Sequence, residues 1–78
     1  MKVEELTSRQ KEEIGEIRKR FQARIEEAEF SAQSRLQEAQ AKGDQELLEK
    51  IQQDRLHEKE RLRIEMERRV EEVRKKDR

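Results

Sequence analysis

The stretch Ala39-Gln40-Ala41-Lys42-Gly43-Asp44-Gln45-Glu46-Leu47-Leu48 decides how this chain is read, because one apolar rhythm stops there and a second begins. Glycine reaches the left-handed backbone conformation that closes a helix, and aspartate caps the first turn of the next one. Lys42-Gly43-Asp44 therefore reads as helix end, turn and helix start, with Glu46 complementing the dipole of the new helix.

Counted from Val3, the chain follows an eleven-residue repeat whose apolar stripe runs up to the break. Val3, Ile14, Ile25, Leu36 and Leu47 share its first position, and Glu5, Glu16, Glu27, Glu38, Glu49, Glu60 and Glu71 share its third. The fourth reads Leu6, Ile17, Ala28 and Ala39, and the eighth Gln10, Phe21, Ala32 and Gly43. Steps of three, four and four make three helical turns per repeat, about 3.67 residues per turn, which predicts nearly straight helices or a slight right-handed supercoil and excludes strands. Downstream the stepping resumes one residue later through Leu48, Ile51, Arg55, Lys59, Leu62, Met66, Val70 and Val73.

If the chain folds back at Gly43-Asp44, residues whose numbers sum to eighty-seven face one another. Ala39 then meets Leu48, Leu36 meets Ile51, Ile25 meets Leu62, Phe21 meets Met66, Ile17 meets Val70 and Ile14 meets Val73. Two layers mix small and charged residues, Ala32 with Arg55 and Ala28 with Lys59, where long stems can cross an alanine and keep their charge in water. The expected fold is a single all-α domain over residues 1–78, a long antiparallel two-helix hairpin. Its helices run over about 3–42 and 45–76, joined by the turn Gly43-Asp44. The alternative is one continuous helix through Gly43, since a mid-helix glycine costs only about 1 kcal/mol.

Composition agrees with long helices. Charged residues make up 51% of the 78 and apolar ones 29%, with no proline, and Glu, Lys, Arg, Gln, Leu and Ala dominate. A core drawn from so few apolar side chains is thin. Apolar residues also fall outside the stripes: Ala23, Phe30 and Ala41 on the back of the first helix, Ile64 on the back of the second and Leu56 on its flank. These are the candidate partner face.

Charge and chemistry narrow the function. Twenty basic residues balance twenty acidic ones, nine of each up to Gly43 and eleven of each from Asp44. A nucleic-acid binder needs a basic excess to displace counterions, so this balance argues against one. There is no cysteine for a disulfide or thiolate site, no phosphate-cradling glycine loop, and one histidine, His57, beside Glu58. Ser8, Ser31 and Ser34 have no matching base, so no catalytic residue, cofactor site, metal site or small-molecule substrate is expected. No apolar run approaches a membrane span and Met1-Lys2-Val3-Glu4-Glu5 lacks a signal-peptide core, which makes a cytoplasmic location the expectation. Lying on a lipid surface is a further alternative, weakened by Gln10, Arg55 and Lys59 within the apolar stripes.

The approach to the turn, Glu38-Ala39 and then Gly43-Asp44, resembles the finger tip of the transcript-cleavage factors. In that family a coiled-coil finger enters the secondary channel of RNA polymerase and presents carboxylates to a metal ion, which would make Asp44 and Glu46 an acidic tip. The family's aspartate is followed by leucine and, three positions on, by glutamate, whereas this chain has Gln45 and Leu47 at those places. The resemblance covers four residues. The reading that uses the whole chain is a non-enzymatic coiled-coil spacer or oligomerisation scaffold. Its expected partner is a second copy, a dimer foremost, or another helical protein.

Overall fold

In the computed structural model, which describes residues 5–76, the chain is a hairpin of two helices, α1 (Ser8–Lys42) and α2 (Gln45–Lys75). The helices pack along their length into a rod of 57 × 20 × 16 Å.

The turn forms as its residue types dictate. Gly43 adopts φ 69° and ψ 24°, the left-handed conformation that L side chains rarely take. The Gly43 amide donates to the Gln40 carbonyl at 3.0 Å and the Asp44 amide to the Ala39 carbonyl at 3.1 Å. This pair of bonds satisfies carbonyls that a helix end leaves open. Asp44 immediately serves as the N-cap of α2: its Oδ1 accepts the Leu47 amide at 3.1 Å, and Glu46 lies in the first turn. Two residues suffice to reverse the chain.

The first helix starts later than its apolar rhythm implies. Residues 5–7 are not helical, and positions 3 and 4 of the expected helix lie outside the described residues, as does Val3 of the repeat. The reason is a capping box. The Thr7 hydroxyl accepts the Gln10 amide at 3.1 Å while Gln10 Oε1 accepts the Thr7 amide at 2.8 Å. Those reciprocal bonds settle the helix start at Ser8.

Gln10 does a second job. Its side-chain amide is buried and donates across the hairpin to the Val73 carbonyl at 3.0 Å and, more weakly, to the Arg74 carbonyl at 3.5 Å. One side chain therefore caps the start of α1 and ties down the end of α2. Beside it Ile14, Val70 and Val73 form the best-buried apolar cluster, with Leu6, Ile17 and Met66 packed against it.

Farther along the rod Phe21 and Leu62 are buried, and the Phe21 ring is flanked by two guanidinium groups, Arg24 at 5.0 Å and Arg69 at 5.4 Å from its centre. Such contacts add cation–π attraction to the burial of the ring. Beyond this level the filling changes. Ile25, Ala28, Ala32, Leu36, Leu48 and Ile51 are all only half-buried, and Ala39 beside the turn is the one fully covered residue of that region among those described.

Candidate interaction surface

The stripes of the two helices turn inward, and this determines what is left outside. Ala23, Phe30, Ala41, Leu56 and Ile64 are all solvent-exposed, with Phe30 at 75%, Leu56 at 61% and Ile64 at 54% of their full exposure. Phe30 lies two residues from both Ala28 and Ala32, which places it about 180° around α1 from the stripe.

The surroundings of the exposed residues differ. Ile64 has Glu60, Arg61, Glu67 and Arg68 one helical turn away, an apolar island among ions. Phe30 has Glu26 and Glu27 on one side but Gln33 and Ser34 on the other. From Phe30 to Ala41, Arg35 and Glu38 are the only charged residues, in a chain that is 51% charged overall. Both point toward the groove between the helices, so the back of α1 over this stretch is uncharged. Counting charge by halves of the chain hides this run; a window of about one dozen residues discloses it.

Between the helices, Ala28, Ala32, Arg35, Ile51, Asp54 and Arg55 line an open groove. Arg55 is exposed there, while Lys59 is half-buried and reaches Glu29 of α1 at 3.1 Å. A second pair links the helices near the open end, Lys76 to Glu13 at 3.9 Å. Both pairs sit at the surface, where such contacts contribute about 0 to 1 kcal/mol.

The acidic tip has a local explanation. Asp44 is engaged as a cap, and Glu46 occupies the dipole-complementing position of the first turn. Among the described residues, no three or more His, Cys, Asp or Glu side chains gather as metal ligands would, and no helix is long and apolar enough to cross a membrane.

The sequence matches no protein-family model, and no similar curated protein or solved structure is found.

Proposed function

We propose that this chain is a non-enzymatic structural and interaction module, a short helical rod that associates with helical surfaces, a second copy of itself first among them. The observation that supports this most is Phe30, three-quarters exposed at the start of a back face of α1 that carries no charge as far as Ala41. Scattered exposed aliphatic residues are ordinary, but an exposed aromatic ring beside an uncharged seam is a surface that gains from being covered.

The thin core points the same way. Ala28, Ala32, Leu36 and Ile51 of the inward stripes are only half-buried, so the hairpin by itself leaves apolar area in contact with water that a helical partner can cover. A rod of this kind spaces and joins; its two faces and its length are its working parts.

The test is the melting midpoint of the purified chain over a hundredfold range of concentration, with mass determined by sedimentation. Coupled association raises the midpoint with concentration, because a partner that binds only the folded state stabilises it by mass action. A monomer whose midpoint does not move with concentration contradicts self-association.

A further inference from the structure

On the back of α1, Ala23, Glu27, Phe30, Ser34, Gln37 and Ala41 follow one another at steps of four, three, four, three and four, and all six are exposed. That stepping is the seam spacing of helices that pack along their length. It is distinct from the inward stripe, which steps by three, four and four. A single helix thus carries two packing faces. One is used within the hairpin and the other is bare.

We infer that this seam is the contact face for a second copy of the chain, running antiparallel to the first with the two-fold axis at the level of Ala32. This rests on the interaction-module reading above and adds its partner, face and register. In that register, residues whose numbers sum to sixty-four stand opposite one another. Phe30 of each copy lies on Ser34 of the other, so a large ring meets a small residue, and Ala23 lies on Ala41. Glu27 stands beside Gln37, a side chain able to donate a hydrogen bond to it, and Arg20 stands level with Asp44, a pair of opposite charges.

Charge disfavours two competing arrangements. Parallel pairing places Glu27 on Glu27 and Arg20 on Arg20. An antiparallel shift that sets Phe30 on Ala41 brings Glu27 level with Asp44. Like charges in register are destabilising in both. A partner with a strongly acidic or basic face finds no complement between Phe30 and Ala41, because no charged side chain of that stretch lies on the seam. A second copy supplies the complement: its Gln37 and Ala41 stand on Glu27 and Ala23, so no charge of one seam meets a like charge of the other.

The absence of native cysteine makes the test direct. Full-length chain is compared by sedimentation with Phe30→Glu and Ile64→Glu, and a spin label is placed on each copy through Gln40→Cys, an exposed position at the seam's edge. Phe30→Glu is expected to weaken dimerisation roughly thirtyfold, the scale of an interface hot spot, with helicity retained because the ring makes no contribution to the core. Ile64→Glu is expected to leave dimerisation unchanged within about threefold, the scale of a residue outside the contact. Labelled dimers should show about 26 Å between the Gln40 positions, from the rise of 1.5 Å per residue and a helix spacing of about 9 Å. A separation of about 10 Å, the parallel value, overturns the arrangement. A dimer indifferent to Phe30→Glu overturns the seam while leaving self-association standing, and a monomer at every concentration overturns both.

Discussion

The half of the hairpin toward its open end and the half toward its turn are made from the same two helices at the same period, yet they are filled differently. At the open end Ile14, Phe21, Leu62, Val70 and Val73 are buried, Met66 and Ile17 pack around them, and Gln10 binds one helix end to the other. Toward the turn the facing residues are alanines and half-exposed aliphatics, with Arg55 in the middle of the inward stripe and an open groove beside Ala28 and Ala32. The exposed Phe30 and the uncharged back of α1 lie in that second half. On the proposed function, holding the fold and meeting partners are tasks separated along the rod. The end without a covalent link carries the core, and the end closed by the turn can spare apolar residues for the outside.

The largest effect that would break this contrast comes from truncating the core at each end. Phe21→Ala removes a ring buried between two helices and two guanidinium groups, and should cost about 3 to 5 kcal/mol, enough to abolish cooperative unfolding of so small a domain. Leu36→Ala removes a half-buried side chain and should cost about 1 to 2 kcal/mol. Chemical denaturation followed by helical circular dichroism measures both. Equal costs would mean that the two halves are not differently loaded.

Smaller, and specific to the open end, is the loss of the polar tie. Gln10→Ala deprives the Thr7 amide of its acceptor and removes the cross-hairpin donor from the Val73 carbonyl, which keeps the Lys76 amide at 3.2 Å, and should cost about 1 to 2 kcal/mol, near the range for losing hydrogen bonds with incomplete rehydration. Gln10→Glu keeps the acceptor toward Thr7 but turns the group that faces the carbonyls into a carboxylate, so it should be no better than alanine at neutral pH. A Gln10→Ala variant as stable as the parent would remove the tie from the account.

The smallest effects sharpen the comparison within the turn half, where one substitution should act in opposite directions at two alanines. Ala32→Leu extends over the open groove and should stabilise by about 0.5 to 1 kcal/mol. Ala39→Leu forces a larger side chain into the one fully covered position near the turn and should destabilise by about 1 to 3 kcal/mol. Thermal melts at one fixed concentration separate the two signs.

Much of the architecture was legible in the sequence, for physical reasons that are local. The stripe of Ile14, Ile17, Phe21 and Ile25 repeats at helical spacing, and the Gly43-Asp44 pair has a backbone preference that ends one helix and starts another, so neither depends on distant residues. The start of α1 was read too early because Leu6 continues the apolar rhythm although it lies before the cap. Thr7 and Gln10, three apart, carry the signature that sets the boundary. The burial of Gln10 could not be read at all, since it depends on carbonyls more than sixty residues away along the chain. For the interaction surface, the angular position of Phe30 follows from helical geometry. The sparse charge from Phe30 to Ala41, confined to Arg35 and Glu38, matters only once it is known which side of α1 the hairpin has used.

Residue-resolved hydrogen exchange at low and high protein concentration distinguishes an open-end half that holds the fold from a turn half that meets the proposed partner. Local opening samples the stability of each segment separately, so thinly packed segments exchange faster. At low concentration the amides around Phe21, Leu62 and Val70 should be the most protected, and those around Ala32 and Arg55 distinctly less so. Raising the concentration should then add protection mainly in α1 between Ala23 and Ala41, leaving α2 around Ile64 almost unchanged. Uniform protection along the rod, or a concentration-dependent gain centred on Ile64, would contradict the account.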